Sequence, residues 1–364
     1  MAVHSILRHR LEPGSPAWAA FGKFVKPPAE PPRTLDKVAA NVFFERRLVT
    51  TYDMPLPFRL PDGKDKLRMW VIADPRLKPT FPGPLVRVRA GQTANIATGT
   101  STGPHTIHWH GIEPTPLNDG VGKHSFEIAG NYTFQWTARE PGFFFYHCHR
   151  NTPLHFEMGL YGGLIVDPAE GPGYVRAYSP ATNHVVKYDQ EVILVAGAHD
   201  HRWRQYSHGH GLHDNSLDPN DPNAFPDVGT SLSDWKPSVF TLSGAVAKDG
   251  NTVITDPRAM GKARVGQTVL VRILNACYAI QEWRIGCDVT VIAEDGRSFG
   301  VGPFGAYSEP YVIPANTPFQ TTSAMRFDML LKPTAPGNIP VRVDYWDWQA
   351  GSLRGRALTQ IQVT

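Results

Sequence analysis

The chain reads HTIHWHG at residues 105–111 and YHCHRNTPLHFEM at residues 146–158. These two stretches hold six of its fifteen histidines and one of its three cysteines. Side chains along a β-strand alternate between two faces. With 105–110 extended, His108 and His110 share one face and His105 takes the other. With 146–149 extended, His147 and His149 share a face and Cys148 points away. Two such strands side by side build two sites at once. One gathers His105 and Cys148; the other gathers His108, His110, His147 and His149. Packing does not account for so many ligand-type residues with matching parity, so a metal role is expected for the group.

The bulk of the sequence sets the frame. At 364 residues the chain is long enough for two domains of ordinary size. Hydrophobic residues make up 41% and charged residues 19%, a balance that suits a globular fold and not a disordered one. With 33 glycines and 33 prolines, turns should be frequent and long helices rare. The formal charge of +3, spread over scattered Lys and Arg, argues against nucleic acid as a partner. No apolar run reaches the length of a membrane span, so no membrane partner is expected. The opening MAVHSILRHRLEPGSPAWAAFGKF shows no signal-peptide pattern, which leaves a cytoplasmic setting or a chain beginning at its mature start. Cys277 and Cys287 can form a disulfide or stand as two buried thiols.

Residues 1–40 are Pro-rich and weakly patterned, and an extended arm is expected there. Short apolar or alternating runs follow, among them LRMWVIA, LVRVRAGQTANIA, NYTFQWTA, GFFFYHCH and GGLIVD, separated by turn residues. This pattern predicts an all-β fold of antiparallel Greek-key sandwiches. DPAEGPGYVRAYSPATNH at 167–184 reads as a linker, and a second set of runs begins at QEVILVAGA. VRAGQTANI at 88–96 matches ARVGQTVLV at 263–271, and AREPGFFFYHCH matches the register of PTAPGNIPVRVD. The fold is therefore expected twice, over 41–170 and 171–364. Without gaps, His108 and His110 fall on Trp283 and Ile285, and His147, Cys148 and His149 on Arg342, Val343 and Asp344. A short gap would instead bring Trp346 and Trp348 into that place. Either way the second domain has lost its ligands.

A thiolate with two imidazoles in a trigonal set, plus a weak or missing axial ligand, is the blue-copper electron-transfer arrangement. The second imidazole should come from the loop after Cys148, where His155 stands. A zinc site would more often show paired cysteines, and a histidine-activated cysteine nucleophile does not need six histidines. The two stretches resemble the copper-binding motifs of two-domain multicopper oxidases, a laccase-like cupredoxin family, and more distantly those of copper nitrite reductases. The likeness covers most of residues 41–364, and the HCH element is highly specific. It implies a type 1 copper held by His105, Cys148 and His155, and an oxygen-reducing copper centre faced by His108, His110, His147 and His149. It also implies an electron path through the His147–Cys148 and Cys148–His149 dipeptides, a periplasmic or extracellular setting, and a cyclic homotrimer.

Two departures from the family stand out. The axial position falls on Leu160, which cannot donate to copper, while Met158 reads as core filling and is the less favoured axial candidate. The second domain also lacks the histidine pairs that complete a three-copper cluster in the family. HDHRWRQYSHGHGLHD at 199–214 offers His199, His201, His208, His210 and His213, either as a loose copper site or as a solvated loop. Asp119 in NDGVGKHS is a candidate proton relay or a simple turn residue. The leading expectation is a copper oxidoreductase that takes electrons from a small molecule or a protein and passes them to oxygen. A type 1/type 2 nitrite-reducing enzyme and a non-enzymatic copper carrier are the competing readings.

Overall fold

The computed structural model describes residues 39–100, 105–121, 130–206 and 235–364. The expected arm over residues 1–40 lies almost wholly outside them, as do His208, His210 and His213. The first half runs through β1 (Val42–Pro55), β2 (Lys66–Ala73), β3 (Gly83–Arg89), β4 (Thr93–Gly99) and β5 (His108–His110). It continues with β6 (Asn131–Thr137), β7 (Gly142–His147), the helix α1 (Thr152–Met158) and β8 (Tyr161–Asp167). A small hairpin follows, β9 (Tyr174–Arg176) with β10 (Val185–Lys187), in the stretch read as a linker.

The second half begins with β11 (Gln190–His199), β12 (Val239–Leu242), β13 (Ala245–Val246), β14 (Gly261–Ala263) and β15 (Val269–Asn275). Next come β16 (Ile280–Ile285), β17 (Val289–Glu294), β18 (Arg297–Ser298) and β19 (Tyr311–Ile313). The chain ends with β20 (Phe319–Thr321), β21 (Arg326–Leu331), β22 (Gly337–Trp346) and β23 (Leu353–Val363).

The sheets carry the duplication that the sequence motifs suggest. In the first half one sheet has the order β2-β1-β4-β6 and the other β3-β8-β7-β5. The second half repeats both as β12-β11-β15-β21 and β14-β23-β22-β16, with further strands at the edges. The mixed pairing is repeated too, since β1 runs parallel to β4 as β11 does to β15, and β3 parallel to β8 as β14 does to β23.

Alternation explains which residues fill the core. Along β6, Tyr132, Phe134 and Trp136 point inward. GFFFYH in β7 does not alternate and is buried throughout, because both of its faces are covered. Phe144 and Tyr146 enter the core of the first half, while Phe143 and Phe145 pack with Val195, Val239 and Leu274 of the second. β7, the strand that delivers His147 and Cys148, is thus clamped between the halves. Charged groups add to the join, with Arg87 donating to Asp167 of its own half and to Glu191 of the other.

Candidate metal centres

Strand β5 is only three residues long, and His105 precedes it. Its register with β7 sets His108 opposite His147 and His110 opposite Phe145. β7 ends at His147; the amide of Cys148 then donates to the carbonyl of Leu160 at 2.9 Å. That bond fixes the peptide at the point where the side chain turns into the core. The chain next forms α1, so His155 stands on a short helix and not in the loop expected after the cysteine. Asn151 precedes that helix in a left-handed conformation, which turns the chain back over Cys148.

The parity argument is realised as two groups. Cys148 Sγ lies 3.3 Å from His155 Nδ1 and 3.6 Å from His105 Nδ1, with all three residues fully buried. On the opposite face, His108, His110 and His147 bring their ligand atoms within 4.8 Å of one another. The His149 ring joins them, 5.3 Å from the His108 ring and 5.7 Å from that of His147. Among the described residues these are the two places where three or more such side chains converge.

Neighbouring carbonyls set which ring nitrogen is free. His108 donates from Nδ1 to the Asp119 carbonyl at 2.9 Å, and His147 donates from Nδ1 to the Cys148 carbonyl at 3.0 Å. Both rings therefore keep Nδ1 for the backbone and turn Nε2 to the site, the nitrogen that is left to bind a metal. Burial, reinforced by Arg326, drives the His110 imidazole down to about 3. Burial and then His108 lower His147 and His149 as well, so these rings are held neutral. Burial pushes the Cys148 thiol up to about 11, and a bound cation would have to displace that proton.

The remaining candidates are placed as follows. Asp119 is half-buried with Oδ1 3.2 Å from His108 Nδ1, beside the histidine tetrad. Leu160 is buried in the same core as Cys148. The sulfur of Met158 accepts from Arg204 Nη1 at 3.1 Å. His199 closes β11 with Nδ1 against the carbonyl of Glu157, and its buried Nε2 has no partner among the described residues. His201 starts a 3-10 turn and lies 2.8 Å from Ser238 Oγ, so the structure does not join His199 and His201 to the tetrad. Cys277 and Cys287 are free thiols.

The second half corrects the gapless register. Trp283 and Ile285 are buried, whereas Glu282 and Arg284 between and beside them are half-exposed, as His108 and His110 are around buried Trp109. Trp283 therefore corresponds to Trp109. From Thr93 to Trp109 the chain advances sixteen residues, and from Thr268 to Trp283 fifteen, so one residue is missing. A one-residue slip moves every side chain to the other face. Across the ladder His108 faces His147 and Glu282 faces Asp344, so Asp344 takes the place of His147 and Tyr345 that of Cys148. Trp346 then follows Tyr345 as His149 follows Cys148, in partial agreement with the gapped reading.

Two residues of the site have no signal near the histidine motifs. Arg326 on β21 and Arg297 on β18 line a cleft of about 520 Å³ together with His108, His110 and Asp119. They lie nearly two hundred residues or more further along the chain, and only the packing of the halves brings them in.

Comparison with known proteins agrees with this architecture. Residues 61–171 match the multicopper oxidase family. The L-ascorbate oxidase of Cucurbita maxima is 38% identical over 127 residues, 33% of this chain and 21% of that protein. The multicopper oxidase MmcO of Mycobacterium tuberculosis is 26% identical over 278 residues, 69% of this chain and 47% of that protein. The aligned region thus spans from about a fifth to about half the length of these relatives. Among solved structures, a blue copper oxidase from Nitrosomonas europaea superposes with a TM-score of 0.60 at 20% identity, covering 88% of this chain and 85% of that one. A copper nitrite reductase from the same organism gives 0.57 at 19% identity, with 88% and 94% covered. These two likenesses establish the fold.

Proposed function

From the match of residues 61–171 to the multicopper oxidase family, we propose that the chain is a copper-dependent oxidoreductase. The observation that carries this reading is Cys148 itself. Its Sγ belongs to the buried trio, and its neighbours His147 and His149 belong to the tetrad on the other face. The donors suit the metal: one thiol and two imidazoles in a dry pocket select copper over hard cations. His105, Cys148 and His155 would hold the type 1 ion, and His108, His110, His147 and His149 the second centre. Bound there, copper supplies one-electron transfer from a reducing substrate to an acceptor, with oxygen the acceptor the family implies.

The chain's own residues set the conditions for that chemistry. Trp70 packs edge-on against His155 and, with Leu160 and Met158, keeps water from the trio. Leu160 offers no donor atom and the Met158 sulfur is engaged by Arg204, so His105, Cys148 and His155 are the residues that would hold the ion. The carbonyls of Asp119 and Cys148 orient His108 and His147. The Asp119 carboxylate stands where it can pass a proton to a ligand in the cleft.

We read the domains as a ligand-bearing cupredoxin over 41–170, a ligand-free one over 171–364, and an arm over 1–40. The assembly is a homotrimer that covers the tetrad's open face, and the setting is periplasmic or extracellular. A second reading, nitrite reduction at a single type 2 copper, is favoured by the closer grouping of His108, His110 and His147 without His149. Copper counted per chain, with an electron paramagnetic resonance spectrum, tests both. Two ions support the type 1/type 2 reading and four an intact oxidase. A single ion leaves an electron carrier, and a colourless protein with stoichiometric copper sinks the type 1 assignment.

A further inference from the structure

Arg326 is 3% exposed, so nearly all of its guanidinium is removed from water. Nε donates to the carbonyl of Phe143 at 3.4 Å, and Nη1 donates to the carbonyl of Ala324 at 2.6 Å and to Asp295 at 3.1 Å. Nη2 has no acceptor among the described residues. It faces Gly111, where a β-carbon would sit 3.3 Å from it, and Gly111 directly follows His110. The side chain is buried as a whole, but Nη2 is its edge open to the cleft, a charged donor that an entering acceptor can engage. The cleft shared with His108 and His110 is where that partner can enter.

Other charges face the same space. Arg297 donates from Nη2 to the Gly111 carbonyl at 3.2 Å and to Glu113 at 3.0 Å, and its guanidinium lies over the Phe304 ring at 4.5 Å; its other nitrogens have no hydrogen-bond acceptor among the described residues. Asp295 is tied to Arg326, Glu113 to Arg297, and Asp119 lies against His108. The carboxylates of Glu113 and Asp295 are 71% and 48% exposed, so they sit further out than the guanidiniums they pair with. Glu113 and Asp295 are thus spent on the guanidiniums from the outside, and Arg326 Nη2 is left facing the inner end of the cleft. Guanidinium groups in such a position recognise anions through charge-assisted hydrogen bonds.

We propose that Arg326, with Arg297 beside it, forms a subsite for a small inorganic anion of the nitrite, azide or halide class at the mouth of the His108/His110 site. The subsite rests on the reading of the tetrad as a copper centre, since such an anion can coordinate the metal and accept from Arg326 Nη2 at once. Neutral dioxygen gains little from a buried guanidinium. An anion gains both attraction into the cleft and orientation within it.

The test uses the full-length, copper-loaded protein. Sodium azide, sodium nitrite and sodium chloride are titrated separately, and the paramagnetic resonance of the non-blue copper is followed; imidazole serves as a neutral ligand. Arg326→Gln should weaken azide and nitrite by about tenfold or more, the worth of one charge-assisted bond, and leave imidazole binding unchanged. Copper content and the blue band should stay as in the wild type. Arg326→Lys, which keeps the charge and loses the planar fork, should fall between the two and serves as the second variant if Arg326→Gln fails to fold. Anion affinity within twofold of wild type in a variant that retains its copper overturns the subsite. Equal weakening of imidazole and azide overturns it too, since that marks a general disturbance. A wild-type protein that holds only one copper overturns the copper reading of the tetrad, and this inference with it.

Discussion

In the first half, Trp109 is buried between two half-exposed histidines; in the second, Trp283 is buried between Glu282 and Arg284. Opposite them stand His147 in one half and Asp344 in the other. The same strands in the same sheet order thus present imidazoles on one copy and an ion-pair ladder on the other. Arg284 donates to Glu282 at 2.8 Å, while Arg342 and Arg356 both hold Asp344. The inward positions are kept apolar or aromatic in both copies because burial drives the fold. The outward positions carry no such demand, so a metal site can exist on one copy and be absent from the other without a change of architecture.

The largest effect is expected at the thiol of the inward-facing trio. Cys148 corresponds to Tyr345, and both are fully buried. Cys148→Ser should abolish the intense visible band of the oxidised copper protein while circular dichroism still reports a folded β-protein. A surviving band would place the chromophore elsewhere.

The reverse experiment grafts the missing ligands. Glu282→His, Arg284→His and Asp344→His together should create a second-half site that takes up one additional zinc or copper ion per chain, counted by metal analysis after dialysis. Unchanged stoichiometry in a folded triple variant would mean that the correspondence of Trp109 with Trp283 is wrong.

Acid should separate the copies next. His110 and His147 are held neutral by burial, with His110 down at about 3, whereas an unfolded histidine takes a proton near 6.5. The unfolded chain therefore binds more protons in that window, and copper-free protein should lose stability steadily as pH falls from about 6.5 toward 3. Copper, which needs the same neutral rings, should flatten the upper part of that decline. Urea midpoints at pH 7 and pH 5, with and without copper, measure it.

A smaller loss is expected at the ladder. Asp344→Asn leaves Arg342 and Arg356 facing a neutral amide. The carboxylate is buried but the two arginine side chains are 36% and 26% exposed, so solvent recovers part of the cost. A loss of about 2 kcal/mol follows, below the range for a fully buried pair. Stability unchanged within error would reduce the ladder to surface decoration.

Much of this was legible in the sequence, and the limits are physical. Period-two alternation separates His105 and Cys148 from His108, His110, His147 and His149, because strand geometry allows nothing else. The repeat in AGQT and VGQT fixes the duplication. What the sequence misplaced is the register of β16, where one missing residue between Thr268 and Trp283 turned the expected cluster residues inward. It also missed α1, since seven residues are too few to show a helical period. Arg297 and Arg326 were invisible, because no local pattern tells an arginine that it will face a histidine on another sheet.

The smallest effect concerns how β5 ends. Gly111 has φ of +86°, a conformation that side chains with a β-carbon avoid, while the corresponding Ile285 simply extends β16. The glycine is needed because the first half must turn away where Phe144 and Arg326 press close. A β-carbon on Gly111 would lie 2.8 Å from the Phe144 ring. Gly111→Ala should therefore lower stability by about 1 kcal/mol, seen as a drop of a few degrees in Tm, with the blue band intact. The Phe144 ring is buried and has little room to yield, so the backbone would have to relax, carrying His110 with it. Copper at the tetrad should then be held less tightly than in the wild type, while copper at the trio is unaffected. If Gly111→Ala is as stable as the wild type and binds copper equally well, the turn after His110 is incidental. β5 could then run on as β16 does, and the contrast between the halves would rest on the ligands alone.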